Sequence, residues 1–425
     1  MAPTTIRLTP AAADFSPTTA SLHGLDALNF FLAGVLAGFG PYVAVYLADE
    51  KWTQEKIGFV LSASALAGLL SQVPGGELLD TIRSKRAIVA VGVLVVALSA
   101  VIIEFQSTFP LVLLGLTLQG ISGGILGPAI AAISLGVVGH SALPERLGRN
   151  QRFAASGSLA AAALMGLIGY AFSYRSIFLL VVALTLPLFV ALGRIHAADI
   201  HFGRSCGAPH HHTRDLPARA ERTSLWKSPG LVVLGACLFF FQFANASVLP
   251  LVGEALIYQA DSRSSLIVSA LIVLPQIIVA VIAPWVGIQA ENWGRRPLLL
   301  IGLGALPIRA LLFMSITDPP LLLLCQLLDG ISGAVIGVLT ALIIADLTNG
   351  TGRFNLSQGL VGTASGVGAS LSTAVFGLVA ASFGRTVVFL SIALVALLAV
   401  LIAWFAMPET RRLITHRSPA WGAVL

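Results

Sequence analysis

The chain has 425 residues, 56% of them hydrophobic and only 10% charged, with a formal net charge of +6 and a mean hydropathy of +0.91. A soluble domain carries about 25% charged side chains, so a water-soluble globule is excluded. Three cysteines (Cys206, Cys237, Cys325) exclude a disulfide scaffold, and none falls in a CxxC pattern for zinc or haem.

Residues 1–24 are polar, with Arg7 as the one base and no apolar core ahead of a cleavage site; a retained tail is expected there, not a signal peptide. Apolar stretches follow at about 25–48, 57–79, 87–105, 110–136, 152–173, 176–194, 230–253, 265–288, 298–317, 320–345, 356–382 and 386–406. Most reach about 20 residues, enough to cross a hydrocarbon core of roughly 30 Å. They are far longer than the roughly ten-residue alternating segments of a membrane barrel. Helices also satisfy every backbone amide within the segment. The expected fold is therefore an all-α membrane protein with twelve transmembrane helices.

An even number of crossings puts both termini on one side. With that side inside, nineteen of the 25 Lys and Arg residues fall in inner segments and five in outer loops, and Arg309 lies within a span. The positive-inside rule fixes the orientation as termini-in, and the bases account for the net charge by facing anionic lipid. No single clustered basic face marks a nucleic-acid partner.

The chain is also a duplication. Gln119–Ile133 recurs as Asp329–Ile343 with seven of fifteen positions identical at an offset of 210. Gly76–Lys85 aligns with Gly287–Arg296 at offset 211, and Phe30, Phe31 and Pro41 align with Phe239, Phe240 and Pro250 at offset 209. Three anchors at nearly one offset define a repeat. The expected domains are a tail (1–24), a six-helix bundle (25–194), a linker (195–229), a second pseudo-symmetric six-helix bundle (230–407) and a tail (408–425). Parallel repeats of this kind place a substrate site at their interface near the midplane. The linker holds five of the eight histidines. His210, His211 and His212, with Cys206 and His201 nearby, show no coordinating spacing, so a solvated flexible loop is expected in preference to a metal site.

The repeated loop resembles motif A of the major facilitator superfamily: a glycine, three residues, an acid, then a basic turn. The second copy supplies Gly287, Glu291, Gly294, Arg295 and Arg296; the first supplies Gly76, Asp80, Lys85 and Arg86, with Arg83 and Ser84 departing from the pattern. The resemblance covers essentially the whole chain and implies a transporter built as two facing bundles. A carboxylate at an inner helix end can pair with the following bases and with a neighbouring helix N-terminus. The family implies that this loop is an inner gate favouring the outward-facing state, with Asp80 and Glu291 as its acids in the two halves. The alternative is that the bases only anchor the helix ends. Two other family patterns are missing: Leu116 stands where proton-linked members carry Arg in the fourth helix, and Gly169 is followed by Tyr170 where antiporters have Gly-Pro. Both absences weigh against a drug/proton antiporter.

Ionisable groups inside spans are functional candidates. Arg309 lies 13 residues beyond Arg296, about 20 Å from the inner boundary at 1.5 Å per residue. Asp329 reaches a similar depth from the other direction, and consecutive helices are usually neighbours. An Arg309–Asp329 pair is expected, serving either as a structural lock or in substrate or proton binding. Neutral candidates for the substrate path are Gln119, Gln242, Asn245, Gln276 and Gln326, with Asn29 and Phe30 on the first helix; each amide is otherwise an interhelical hydrogen bond. Asp26, Glu104, Glu254 and Asp346 sit at helix ends and are expected to be mainly solvated.

The expectation is a secondary transporter of a small organic solute across a bacterial-type inner membrane by alternating access. Export is favoured, protons are a candidate coupling ion, and the chain acts as a monomer. The expected partners are the lipid bilayer and a small-molecule substrate, with no cofactor, metal or nucleic acid. GxxxxGK[ST] is absent, which removes ATP drive, and HExxH is absent, which removes the zinc metalloproteases that carry it. The alternative is a transporter-shaped sensor or assembly protein that no longer transports.

Overall fold

The structure is a computed structural model and describes residues 17–39, 41–105, 107–208, 228–257, 264–316 and 318–411. The helices are α1 (Thr19–Ala37), α2 (Pro41–Asp49), α3 (Gln54–Thr81), α4 (Lys85–Phe105), α5 (Phe109–Val138), α6 (Leu143–Ala171), α7 (Ser176–Arg194), the short α8 (Phe202–Ser205), α9 (Pro229–Asn245), α10 (Val248–Ile257), α11 (Ser264–Trp293), α12 (Arg295–Ser315), α13 (Pro319–Thr348) and α14 (Phe354–Ala406). Among the described residues, eleven segments are long and apolar enough to cross a membrane. The expected twelfth is present because α14 is two crossings joined at Gly384, whose φ of 79° is non-helical. Only a residue without Cβ enters that region cheaply. The first and seventh crossings are each broken near two thirds of their length, into α1 with α2 and α9 with α10.

Proline at the first or second position opens α5, α6, α9 and α13, where its missing N–H costs nothing. α6 begins nine residues earlier than the apolar run because Glu145, Arg146, Arg149 and Arg152 belong to its first turns. These charges extend the helix beyond the hydrocarbon, where hydropathy cannot detect it.

Two apolar cores form, the second of which also takes in Leu135, Leu143 and Leu147 of the first half across the interface. One is built on Leu25, Leu28, Val93, Leu126 and Phe178, the other on Leu234, Leu303, Phe313, Leu339 and Phe389. The halves meet through α3 against α14 and α6 against α11. Among the described residues, the hydrogen bonds that join the halves lie toward the end carrying the linker, as in Gln151 Nε2 to the Gly337 carbonyl (3.0 Å) and His140 Nε2 with the Ala345 carbonyl (3.2 Å). The molecule is thus closed at the linker end.

Candidate functional site: a mid-membrane cavity above a closed gate

The gate begins with two glycines. A Cβ at Gly76 would collide with the Asn355 carbonyl oxygen in the first turn of α14, and one at Gly287 would collide with the Pro144 carbonyl oxygen in the first turn of α6. The two copies of the repeated loop therefore make the same close approach, each to the opposite half.

One turn beyond Gly76, Asp80 is buried under α14. Its Oδ1 accepts from the Asn355 backbone N–H (3.2 Å) and Nδ2 (2.8 Å), and its Oδ2 accepts from the Leu356 N–H (2.9 Å). The first N–H groups of a helix lack internal partners, so this carboxylate caps α14 and meets the positive end of its dipole. The expected pairing with Lys85 does not form. Lys85 Nζ donates to the Leu79 and Ile82 carbonyls, the latter at 2.8 Å, and lies 3.5 Å from Cys206 Sγ and 4.6 Å from the Phe202 ring centre. The lone pairs of Asp80 face α14, and Lys85 finds carbonyls on its own turn instead. Arg86 Nε is buried without a partner among the described residues.

The second copy departs from expectation at its acid. Glu291 is half exposed and binds Arg295 in its own loop at 2.7 Å, with no bond to the opposite half among the described residues. The physical reason lies across the interface. The facing first turn of α6 offers Pro144, which has no N–H, and Glu145, a like charge. Arg295 is buried and gives Nε to Asp346 Oδ2 (3.0 Å) and Nη1 to the Ala290 carbonyl (2.7 Å). Gly294, at φ 95°, precedes α12, and the backbone N–H of Arg296 donates to Glu409 Oε2 (3.0 Å).

Two acids expected to be solvated are buried ion-pair members. Asp26 is held by Arg146 and by Arg149 (2.5 Å), and Asp346 by Arg295 and the Thr410 hydroxyl (2.9 Å). Their partners lie 51 or more positions away in sequence, so helix-end placement alone could not reveal them. Glu104 is partly buried and lies 3.6 Å from Arg175. The side chain of Glu254 lies outside what the structure describes.

The start of the expected linker is also not a free loop. Asp199 Oδ2 accepts from the Thr18 hydroxyl (2.6 Å) and backbone N–H (3.2 Å), and the His201 N–H reaches the Gly136 carbonyl (3.2 Å). Toward the other half, the Cys206 carbonyl accepts from the Phe354 N–H (3.1 Å), Gly207 from Gly350 (2.7 Å), and Ser205 from Asn355 Nδ2 (3.0 Å). Residues 199–207 thus strap the two halves together beside Asp80. Burial pushes the Cys206 thiol above its ordinary value. At Asp199 burial acts upward, but hydrogen bonds from Ser21 and Thr18 outweigh it and hold the carboxyl below the usual value. His210, His211 and His212 lie outside the described residues.

Above the gate is a cavity of about 500 Å³. Of the sequence candidates, Gln242, Asn245, Gln276 and Asp329 line it. The expected pair is formed: Arg309 Nη1 meets Asp329 Oδ1, and Arg309 Nη2 donates to Asn245 Oδ1. Arg309 is 2% exposed and stands behind the wall, whereas the Asp329 side chain is 28% exposed. Gln326 Nε2 lies 3.4 Å from Asp329 Oδ2.

Three candidates turn elsewhere. Asn29 spends its amide on the Leu25 carbonyl of its own helix (2.8 Å), Gln119 Oε1 accepts from Ser64 (3.2 Å), and Phe30 packs edge-on against Phe31 at 5.2 Å. Sequence reasoning missed Gln72, Thr340, Gln358 and Ser365, which also line the cavity. All four are polar residues inside spans, and a scan extended to the inner third of each helix would have found them. Polar groups come mainly from the second half; the wall from the first is Gly123, Gly124, Gly127 and Pro128, with Gln72.

The sequence matches the profile of the Major Facilitator Superfamily over residues 25–267 and 231–424. The chain belongs to that superfamily. Two Mycobacterium tuberculosis proteins described as uncharacterized MFS-type transporters, one from each of two strains, are 36% identical over 389 residues, covering 91% of this chain and 93% of the relative. The class B tetracycline resistance protein of Escherichia coli is 35% identical over 98 residues, 23% of this chain and 24% of that one. The solved structure of the proton:xylose symporter XylE bound to 6-bromo-6-deoxy-D-glucose superposes with a TM-score of 0.68 at 15% identity, covering 94% of this chain and 98% of that chain. The facilitator fold of two six-helix bundles is therefore established, and the chain is a multi-pass membrane transporter, not an enzyme.

Proposed function

We propose that this transporter carries a small organic solute by alternating access, with the linker end facing the cytoplasm of a bacterial-type inner membrane and the halves captured in the outward-facing state. The observation that carries the reading is a mid-membrane cavity whose floor is a closed, hydrogen-bonded gate. The basic residues concentrated at the gated end support the orientation. A solute enters beside Gln242, Asn245, Gln276 and Asp329. Rocking of the halves then breaks the Asp80 cap and the 199–207 strap together.

Export is the direction we favour, with support from the partial match to a protein named for tetracycline resistance. Protons are the coupling ion this geometry allows. Protonation of Asp329 releases Arg309 from its ion pair, so carboxylate charge and cavity shape change in one step. The test is solute flux in proteoliposomes with and without an imposed pH gradient, after a sensitivity screen of a deletion strain has named a solute. The reading holds if the gradient drives flux and Asp329→Asn abolishes that drive. Flux unchanged in both Asp329→Asn and Arg309→Ala removes the site. Absence of flux for every solute to which the strain is sensitised removes the transport reading.

A further inference from the structure

A groove of about 810 Å³ lies at the linker end of the second half, away from the cavity, between the start of α12 and the end of α14. Arg296 and Arg411 line it, with Trp293, Trp404, Leu300 and Glu409. Arg296 gives one guanidinium N–H to the Trp404 carbonyl, and Arg411 gives Nη1 to the Asn292 carbonyl (2.8 Å). Neither guanidinium forms a salt bridge among the described residues. Each has five donors, so several remain for an anion.

Glu409 is the obvious objection to an anion here, but its oxygens are already committed. Oε1 accepts from the backbone N–H of Arg295 (2.9 Å) and of Arg411 (3.1 Å), and Oε2 from that of Arg296 (3.0 Å). The carboxylate caps α12 with its lone pairs turned to the backbone, and with two guanidinium groups against its one charge the groove keeps a net positive charge. Gly294 permits this, because a Cβ there would press into the Glu409 carboxylate.

The surroundings point to lipid as the source of the anion. α12 begins and α14 ends at this level, so the groove sits at the membrane–water boundary. Trp293 is 51% and Trp404 56% exposed, the placement of an interfacial aromatic belt. One turn deeper, Leu300 continues the groove toward acyl-chain depth. Phosphate at the basic end and an acyl chain along the apolar end match this polarity, and guanidinium is the side chain best suited to phosphate. We infer that the groove between α12 and α14 binds one anionic glycerophospholipid, its phosphate between Arg296 and Arg411 and a chain along Leu300 and Trp404.

Native mass spectrometry of the full-length protein, purified and titrated with phosphatidylglycerol, tests this directly. The parent is expected to retain one tightly bound phosphatidylglycerol that phosphatidylcholine does not replace. Arg296→Gln/Arg411→Gln should weaken its binding roughly 30-fold, whereas Arg83→Gln, in the matching loop of the first half, should leave it unchanged. Arg296→Gln and Arg411→Gln singly should each give an intermediate loss, and a cooperative melt of each variant shows that the fold survives. The inference is overturned if the double variant keeps the lipid, or if Arg83→Gln loses as much, since the attraction would then be diffuse. It is also overturned if millimolar inorganic phosphate displaces the lipid, which would make this a free-anion site. The same holds if ending the chain at residue 411 adds a second lipid there, because the C-terminal segment would then be the occupant.

Discussion

Asp80→Asn isolates the gate, because it keeps the side-chain shape and removes the charge. The carboxylate accepts three hydrogen bonds from the start of α14, two of them from backbone N–H groups. A hydrogen bond to a charged group contributes about 1.5–3 kcal/mol and a neutral one about 1. The amide also presents an NH2 where one acceptor oxygen stood, facing a donor. Burying the carboxylate charge offsets part of this gain, so the substitution removes about 2 kcal/mol from the closed state alone, which corresponds to a roughly 30-fold shift toward the state open at the linker end.

Cys206 reports that shift. It is fully buried against Asp80 and Lys85 in the closed gate, and burial keeps the thiol protonated, so a maleimide reacts when the strap lifts. Where opening is fast relative to labelling, the rate follows the open population. Asp80→Asn should raise the Cys206 rate about 30-fold at fixed pH, with Cys206→Ser as the blank for Cys237 and Cys325. A rise of less than about threefold would refute the claim that Asp80 holds the gate.

Glu291→Gln should change the same labelling rate by less than about threefold, because a half-exposed pair within one loop contributes about 0–1 kcal/mol. Gly76→Val and Gly287→Val should each raise it, since overpacking costs about 1–3 kcal/mol in the closed state and nothing once the halves part. Arg309→Ala leaves the Asp329 charge unpaired at the cavity wall and should lower detergent-phase stability by about 1–2 kcal/mol, and Arg309→Ala/Asp329→Ala should recover most of it in the melting temperature. Asp199 has its folded pKa depressed, so its contribution is present above the unfolded value and lost as pH falls through the folded one. The melting-temperature gap between the parent and Asp199→Asn should therefore be largest at neutral pH and close under acid conditions.

The membrane fold was legible because each crossing carries its own signal. Apolar length fixed the twelve spans to within a few residues over most of the chain, and it failed where α6 runs nine residues into charged sequence. The Arg309–Asp329 pair was legible because two depths could be computed from two helix ends and neighbouring helices meet. Asp26 and Asp346 were not, because their partners sit on other helices and a charge at a span boundary looks the same solvated or buried. The strap of 199–207 was illegible for a related reason: it is held mainly through backbone groups, which composition does not encode.

The unequal acids of the two loops change what the duplication means. A symmetric gate would release both halves equally, with a carboxylate capping each opposing helix. Here the steric part of the repeat survives in both copies, at Gly76 and Gly287, while the electrostatic part crosses the interface at Asp80 alone. Glu291 instead joins Arg295 and Asp346 in a network within its own half, which stiffens the α11–α12 turn without joining the halves. The opposing α6 is a poorer seat for a carboxylate, since Pro144 removes one backbone donor and the Glu145 side chain is a like charge. Asp80 is thus the more effective place to bias the closed state, and the strap lies on that same side of the interface, where Ser205 and Asp80 share the Asn355 amide. Loosening either one weakens the other, so opening at this side is a single cooperative event, while the α6–α11 contact yields as plain packing.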